Sequence, residues 1–268
     1  MKFTDSVCIV TGASSGIGRA SAIEMARRGA TLALVSRNAD ALGEVLKTVS
    51  AHSPNSFLHA CNVGDPAAVE KMISAVLERT GRIDLMFANA GFGHFRPLVD
   101  LDDDEIEEMV RTNVLGQIWC CKAVIPHMME RRRGHVVVMS SSNGRIPPPL
   151  MTVYNATKFA AVGFGETLLY EVEPYGIGVT IVYPGAIDTG FFGPSEFGAL
   201  RTPKKLSPEK MARAICNGIE RGAYDVTLPR VLRLPAILRV IAPPLVRNGV
   251  RRYAASVVPR PAARGGND

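Results

Sequence analysis

The chain has 268 residues, 47% of them hydrophobic, and a formal net charge of +6. No apolar run reaches the roughly 18 residues that a membrane-spanning helix needs, and five cysteines without a Cys-x-x-Cys pair argue against a disulfide or zinc framework. Residues 201–268 hold 14 Lys and Arg against 4 Asp and Glu, whereas residues 1–200 hold 17 against 21. The basic excess therefore belongs to the C-terminal quarter, which excludes a nucleic-acid-binding surface spread over the whole protein.

Strand-like apolar runs alternate with amphipathic helical stretches along the chain. The predicted strands are Val7–Thr11, Thr31–Ser36, Phe57–Asn62, Ile83–Ala88, His135–Ser140, Val179–Tyr183 and Asp225–Leu228. The predicted helices are Ile17–Arg28, Ala39–Ser50, Pro66–Thr80, Asp102–Glu130, Val153–Val172 and Ser207–Arg221. This alternation predicts an α/β fold, with a doubly wound, mainly parallel seven-stranded sheet and helices on both faces.

A glycine-rich segment connects the first predicted strand to the first predicted helix. Glycines at such a turn let a pyrophosphate approach the backbone, and the start of the helix offers free N–H groups. The segment predicts a dinucleotide-binding turn, and an ordinary glycine-rich connection is the alternative. The candidate binding residues are Gly12, Ser14, Ser15, Gly16, Ile17 and Gly18.

Arg37 follows the second predicted strand, where the adenine ribose of a dinucleotide is expected to lie. The sequence Ser36-Arg37-Asn38 contains no acidic residue that would accept a hydrogen bond from a ribose hydroxyl. Because a guanidinium suits a 2′-phosphate, Arg37 favours NADP(H) over NAD(H). The alternative is that Arg37 is a solvated loop residue.

Tyr154 and Lys158 are four residues apart in a predicted helix, and Ser141 ends the preceding strand-like run. Four residues place both side chains on one helix face. A nearby ammonium favours the phenolate, so we expect Lys158 to lower the pKa of Tyr154. A serine hydroxyl could then polarise a carbonyl oxygen.

These segments together resemble the short-chain dehydrogenase/reductase family, collinearly from about Val7 to Thr189. The resemblance rests on the Thr11–Gly18 turn, Asn62-Val63, Asn89-Ala90-Gly91, Asn113, Ser141, the Tyr154/Lys158 pair and Pro184-Gly185 with Thr189. It implies that residues 1–257 form one Rossmann-type catalytic domain. We expect the remaining tail, residues 258–268, to be disordered.

The resemblance also implies a role for each catalytic position. Tyr154 would be the general acid or base, and Ser141 would orient and polarise the substrate oxygen. Lys158 would tune the tyrosine and hold the nicotinamide ribose. Asn113 would hold a water that links Lys158 to solvent.

Further positions are implied to contact the cofactor. Asn89 would stabilise the sheet near the adenosine, and Val63 would lie beside the adenine. Asn62 stands where an aspartate is commonest, and its amide oxygen can still accept the adenine hydrogen bond. The other implied contacts are Ala90, Gly91, Pro184, Gly185, Ile187 and Thr189.

The substrate is expected to be hydrophobic. Phe92, Leu150 and Phe191 are the candidate substrate-binding residues beside Ser141 and Tyr154, although these apolar side chains could equally belong to core or interface packing. Residues 190–206 are the predicted substrate lid. His94 is interpreted as a pocket wall or a loop residue, and no metal site is predicted, because the other histidines lack metal-ligand spacing.

Residues 228–253 form a basic, apolar C-terminal extension. Leu234, Ile237, Leu238 and Ile241 follow helical spacing, six arginines punctuate the segment, and Pro235, Pro243 and Pro244 interrupt it. One interpretation is a weak peripheral contact with an anionic membrane. The interpretation that we favour is an element that covers the pocket or packs on a second subunit.

The sequence therefore predicts an oxidoreductase that transfers a hydride between NADP(H) and a carbonyl or secondary alcohol. The alternatives are a membrane-surface lipid or steroid-type ketone reductase and a non-catalytic dinucleotide-binding sensor. We expect a homodimer or homotetramer, which the resemblance implies, and no nucleic-acid partner. Because Met1–Asp5 leads straight into a predicted strand, we expect no secretory signal and a cytoplasmic location, with possible peripheral contact at a membrane surface.

Overall fold

The computed structural model describes residues 1–191 and 205–258. The strands of the sheet are β1 (Val7–Thr11), β2 (Thr31–Ser36), β3 (Phe57–Ala60), β4 (Leu85–Ala88), β5 (Gly134–Met139), β6 (Ile177–Pro184) and β7 (Asp225–Leu228). The helices are α1 (Gly16–Arg27), α2 (Ala39–Ser50), α3 (Pro66–Thr80), α4 (Asp103–Val110), α5 (Gly116–Glu130), α6 (Thr152–Val172), α7 (Pro208–Glu220), α8 (Arg233–Ile241) and α9 (Pro243–Val257).

The strands lie in the order β3-β2-β1-β4-β5-β6-β7, and each neighbouring pair is parallel. The predicted Rossmann-type parallel sheet is thus confirmed. Because β2 and β4 flank β1, the winding of the chain reverses at β1, and a crevice opens at the carboxyl ends of these strands. The loops after β1, β4, β5 and β6 all meet at this edge.

Two apolar layers cover the sheet. Successive strand side chains alternate between its faces, so Ile9 contributes to one layer and Val10 to the other. Helices α3, α5 and α6 pack on the first face, whereas α1, α2 and α7 pack on the second. Burial on both faces explains why the strands are almost uninterrupted runs of Val, Ile, Leu and Ala.

The predicted helix Asp102–Glu130 contains a π-helical turn, Arg111–Leu115, which joins α4 to α5. A π-turn inserts an extra residue into the helical ladder and turns side chains away from the regular spacing. Other differences from the predicted elements are confined to their ends: β3 stops at Ala60, and β6 begins at Ile177.

The C-terminal extension folds as two helices. Helix α8 ends before Ala242, whose φ of −140° leaves the helical region, and α9 starts at Pro243. A proline at the start of a helix needs no N–H partner, so Pro243 and Pro244 fit the beginning of α9. None of the described helices combines the length and apolar character required to cross a bilayer.

Candidate active site

The glycine turn after β1 has the conformation that its residues predict. Gly12 and Gly16 have φ of 65° and 53°, a left-handed region that glycine tolerates. A Cβ at Gly18 would lie 2.2 Å from the carbonyl oxygen of Gly12, so this position excludes any side chain. Ser15 precedes α1 without a side-chain capping bond, so its hydroxyl leaves the first helical N–H groups to another acceptor. The turn therefore has the room and the donors for a pyrophosphate.

Asn89 and Thr11 join the loops that follow β1 and β4. The hydroxyl of Thr11 accepts hydrogen bonds from the N–H groups of Asn89 and Ala90, at 2.9 and 3.0 Å. The Asn89 amide donates to the carbonyl oxygen of Thr11 at 2.8 Å. These bonds bring Ala90 and Gly91 to the crevice beside the glycine turn.

Arg37 lies at the end of β2 and forms an ion pair with Glu108 of α4 at 2.7 Å. Both side chains are more than half exposed. Glu108 was not identified from the sequence as a residue near the nucleotide site, because 71 positions separate it from Arg37 and no local pattern joins them. On the same side, the side-chain oxygen of Asn62 accepts the N–H of Gly64 at 3.0 Å, and Val63 is buried.

The structure brings together the four predicted catalytic residues. Ser141 follows β5, Tyr154 and Lys158 lie in the first half of α6, and Asn113 lies in the π-turn; all four are buried. Tyr154 is hydrogen-bonded to the side chain of Ser141. The Lys158 ammonium donates to the carbonyl oxygen of Met139 at 3.1 Å and lies 5.5 Å from the centre of the Tyr154 ring.

Asn113 is held by its side chain between two segments. Its amide oxygen accepts the N–H of Phe92 at 3.0 Å, while its amide nitrogen donates to the carbonyl oxygen of Phe92 at 2.7 Å and to the hydroxyl of Thr157 at 3.1 Å. Its main-chain oxygen accepts a hydrogen bond from the side-chain amide of Gln117 at 2.9 Å.

Gln117 was not identified from the sequence. Its amide also donates to the carbonyl oxygen of Met139 at 3.1 Å, so Gln117 and Lys158 share this acceptor. The signal was present in the sequence, since Gln117 is a polar residue one helical turn after Asn113 on a helix that buries much of its length.

The three consecutive serines after β5 have different surroundings. Ser140 donates to the carbonyl oxygen of Lys158 at 2.9 Å, and Ser142 begins a short 3₁₀ turn. The hydroxyl of Ser141 contacts Tyr154 and accepts the N–H of Asn143 at 3.1 Å. Spacing to Tyr154 had favoured Ser141, and its position beside the phenol agrees with that choice.

Burial acts against the expected lowering of the Tyr154 pKa. Burial raises the pKa of Tyr154 to about 12, and the hydrogen bond with Ser141 acts in the opposite direction. Burial also lowers the pKa of Lys158 to about 8. Desolvation disfavours both charged forms, and here it outweighs the effect that the ammonium was expected to have.

Three glycines border the catalytic residues and leave them no spare room. A Cβ at Gly91 would lie 2.9 Å from the amide oxygen of Asn113. One at Gly93 would lie 2.6 Å from the Tyr154 ring, and one at Gly144 would lie 2.5 Å from the Ser140 hydroxyl. These contacts are too short for any side chain, so the three positions require glycine.

Apolar side chains surround Tyr154. The Phe191 ring meets the Tyr154 ring edge-on, with centres 5.7 Å apart. Phe92 and Leu150 pack with Phe95, Met151 and Tyr154 in one cluster. Leu150 has a φ of 64°, a strained conformation for a residue with a side chain. His94 stacks edge-on against Phe92, which fits its interpretation as a pocket wall.

The segment after β6 closes one side of the crevice. The Gly185 N–H donates to the carbonyl oxygen of Leu228 at 2.8 Å, and Ile187 is bridged to Leu206. Thr189 approaches the glycine turn, because a Cβ at Gly16 would lie 3.1 Å from its side chain. Pro184 is the buried last residue of β6. Residues 192–204 of the predicted lid lie outside the described residues.

A cavity of about 450 Å³ lies on the outer side of the glycine turn. Ser14, Ser15, Gly16 and Thr189 line it, whereas Ser141, Tyr154 and Lys158 do not. It therefore adjoins the expected phosphate position and not the catalytic cluster. In the part of the chain that the structure describes, no group of three His, Cys, Asp or Glu side chains is placed to hold a metal ion.

The family model of the short chain dehydrogenases matches residues 6–196. The chain belongs to the short-chain dehydrogenase family. It is 34% identical over 256 residues to dehydrogenase/reductase SDR family member 7B from Bos taurus, a match that covers 90% of this chain and 79% of that protein.

Two solved structures illustrate the likeness of fold. An alcohol dehydrogenase from the archaeon Thermococcus sibiricus, complexed with 5-hydroxy-NADP, has a TM-score of 0.75 at 31% identity, covering 83% of this chain and 95% of that one. A 3-ketoacyl-(acyl-carrier-protein) reductase from Brucella melitensis, complexed with NADH, has a TM-score of 0.76 at 25% identity, covering 85% and 99%.

Membership in the short-chain dehydrogenase family makes the chain an oxidoreductase. The matched region contains the glycine turn and the catalytic cluster, and it ends before α7. Helices α8 and α9 thus lie beyond the part of the chain that the family model describes.

Proposed function

We propose that this short-chain dehydrogenase transfers a hydride between NADP(H) and a hydrophobic carbonyl or secondary alcohol, with Tyr154 as general acid and base. The observation that supports this most is the buried hydrogen bond between Tyr154 and Ser141, with Lys158 one helical turn away. These side chains lie at the carboxyl edge of the sheet, where the glycine turn can hold a nucleotide.

The protonated state of Tyr154 is the one that carbonyl reduction requires of a general acid. A phenol with a pKa of about 12 stays protonated and can donate to a substrate oxygen, which Ser141 would orient. Lys158 would stabilise negative charge that develops on the phenol during this transfer. The bound nicotinamide supplies the hydride for the reduction and accepts it in the reverse reaction.

The proposed cofactor is a nicotinamide dinucleotide, with NADP(H) preferred. Relatives of known structure contain an NADP derivative and NADH, which supports the class of cofactor without distinguishing its two forms. The glycines without room for a side chain fit a pyrophosphate. The preference rests on Arg37, whose guanidinium could exchange Glu108 for a 2′-phosphate.

The apolar residues around Tyr154 support a hydrophobic substrate. Phe92, Leu150 and Phe191 come from three separate segments and converge near the phenol. A carbonyl group bound there would lose contact with water on several sides, which strengthens its hydrogen bonds to Ser141 and Tyr154. We also propose a homo-oligomer, following the family resemblance, and a cytoplasmic setting, which suits the free cysteines Cys8, Cys61, Cys120, Cys121 and Cys216.

Replacing Tyr154 by Phe tests the proposal. We expect Tyr154→Phe to lower kcat for ketone reduction by about 100-fold or more, because a positioned general acid contributes on the order of 10²–10⁴-fold. NADPH binding, followed by fluorescence titration, should stay within a few fold of the wild type. The measurement is NADPH oxidation by absorbance over a panel of apolar ketones.

Tyr170→Phe is the matched control, because Tyr170 lies on the same helix and is 73% exposed. It should retain wild-type turnover. Undiminished ketone reduction by Tyr154→Phe would show that Tyr154 is not the general acid. NADPH binding by the wild type without turnover across the panel would instead favour a nucleotide-binding sensor.

A further inference from the structure

The apolar stripe of α8, which begins in the short 3₁₀ turn before the helix, faces outward. Val231, Leu234, Ile237 and Ile241 follow one another at spacings of three, three and four, and are 67%, 58%, 56% and 71% exposed. Such a stripe on a globular protein normally packs against the core. Val240 and Leu245 extend the exposed surface. A contiguous apolar surface of this kind commonly marks a site of interaction.

Helix α8 is tied to the body by two arginines and by the half-buried Leu238, and not by its exposed apolar stripe. Arg239, half a turn around the helix from Ile237, donates to the carbonyl oxygen of Arg145 at 2.8 Å and stacks on the Phe159 ring at 4.9 Å. At the start of the helix, Arg233 pairs with Asp225 at 2.6 Å. With Pro235, Ala236 and Leu238 half-buried on the inner side, the stripe faces away from the protein.

The charge of this region is of one sign. Residues 228–258 contain six arginines and no Lys, Asp or Glu. Arg230, Arg247, Arg251 and Arg252 are exposed, and the structure gives them no ion pair among the described residues. Arg247 and Arg251 are one helical turn apart and share one face of α9. Helix α9 as a whole packs against α8.

We propose that α8 and α9, the C-terminal helical pair, dock on the surface of an anionic lipid bilayer. The stripe of α8 would enter the boundary between headgroups and acyl chains, while the exposed arginines would contact lipid phosphates. A symmetric contact with a second copy fits less well, because it would set this arginine-rich patch against itself without acidic residues. The proposal does not rest on the reaction proposed above.

Vesicle flotation tests the proposal with the full-length protein. We expect wild-type protein to bind vesicles of phosphatidylcholine and phosphatidylglycerol at low salt, to bind pure phosphatidylcholine vesicles at least tenfold more weakly, and to be released by high salt. Leu234→Asp/Ile237→Asp should weaken binding to the anionic vesicles by about tenfold or more, because it removes apolar insertion and adds repulsion.

The arginines are tested separately. Because each basic residue near an anionic surface contributes about fivefold in affinity, Arg247→Gln/Arg251→Gln should weaken binding by roughly 25-fold. Two matched controls should bind like the wild type: Val99→Asp, which changes an exposed apolar residue elsewhere, and Arg213→Gln/Arg221→Gln, which changes two exposed arginines within and directly after α7. Thermal unfolding of every variant should match the wild type.

Four outcomes would overturn the proposal. The first is no binding of the wild type to anionic vesicles at low salt, and the second is equal binding by the patch variants and their controls. The third is a change from oligomer to monomer in Leu234→Asp/Ile237→Asp without vesicle binding by the wild type, which would assign the patch to a second copy. A lowered unfolding temperature in that variant, again without vesicle binding, would mean that the patch is covered within the chain.

Discussion

At Tyr154, two physical effects act in opposite directions. A neighbouring ammonium favours the phenolate, whereas loss of water favours the neutral phenol. In this protein the second effect is larger, and the same burial brings the pKa of Lys158 down to about 8. Tyr154 is therefore better prepared to donate a proton than to remove one until a bound cofactor changes its surroundings.

Arg37→Asp should reverse the preference between the two nicotinamide dinucleotides. A charge-assisted hydrogen bond contributes about 1.5–3 kcal/mol, so the ratio of kcat/KM for NADPH to that for NADH should fall by roughly tenfold to a hundredfold. The introduced carboxylate would also repel a 2′-phosphate. Steady-state kinetics with both cofactors measures the ratio.

Glu108→Gln provides the complementary variant, because it keeps the shape of the side chain and frees Arg37 from its ion pair. An exposed pair is worth at most about 1 kcal/mol, so NADPH affinity should rise by no more than about fivefold. An unchanged ratio of kcat/KM for NADPH to that for NADH in Arg37→Asp would show that Arg37 does not contact the 2′-phosphate.

Residue spacing together with the family resemblance pointed to Ser141, Tyr154 and Lys158, and a strand end and a helix face bring these side chains together. It could not supply Glu108 or Gln117, whose partners depend on how distant elements pack. Spacing also could not show whether the charge of Lys158 or burial has the larger effect on the pKa of Tyr154, since the burial of Tyr154 depends on Phe92 and Leu150 from other segments.

At the scale of the elements, the turn between β1 and α1 and the π-turn between α4 and α5 form the site. The first leaves space by means of glycines, and the second buries Asn113 against the Phe92 backbone. Both depart from regular structure, as functional sites in helices frequently do.

Gly18→Ala should disrupt the glycine turn. A Cβ 2.2 Å from the Gly12 oxygen cannot be accommodated without moving the loop, so we expect the free energy of unfolding to fall by about 1–3 kcal/mol. NADPH affinity should fall at least tenfold. Urea unfolding and fluorescence titration measure the two effects.

Gly43→Ala is the matched control within α2, where a Cβ would meet nothing within 4 Å. It should raise the free energy of unfolding by about 0.5–1 kcal/mol, because alanine restricts the unfolded chain and favours a helix. Equal NADPH affinity in Gly18→Ala and Gly43→Ala would contradict the role given to the turn.

Element order was predictable because apolar strands and glycine-marked helix ends leave strong local signals. The π-turn was not, since its sequence reads as continuous helix and the extra residue is accommodated only by contacts with Phe92 and Thr157. The stripe of α8 had the spacing of a buried face; only the packed structure places it outward.

For the molecule as a whole, stability at acid pH depends on polar groups enclosed with the sheet. His135 of β5 is buried beside Thr180, and burial lowers its pKa to about 3 from the usual 6.5. Between these values the unfolded chain binds a proton that the native protein does not, so native stability is lost as the pH falls from 6.5 toward 3.

His135→Gln should therefore reduce the loss of stability between about pH 6.5 and 4.5. In this interval the extra proton bound by the unfolded wild type lowers its free energy of unfolding by up to about 1.4 kcal/mol for each pH unit. The urea midpoint of the wild type should fall over this interval, and that of the variant should fall less. Exposed His52, replaced by Gln, is the control and should retain the wild-type slope. A variant slope equal to that of the wild type would show that His135 does not govern this loss.

The close glycine contacts at Gly91, Gly93 and Gly144 have a consequence for engineering this protein. Any library that diversifies these positions would lose function through steric collision with Asn113, Tyr154 or Ser140, whatever substrate is selected. Phe92, Leu150 and Phe191 instead present side chains that can shrink or grow beside the phenol. Efforts to broaden substrate range should therefore randomise these three apolar positions and leave the glycines unchanged.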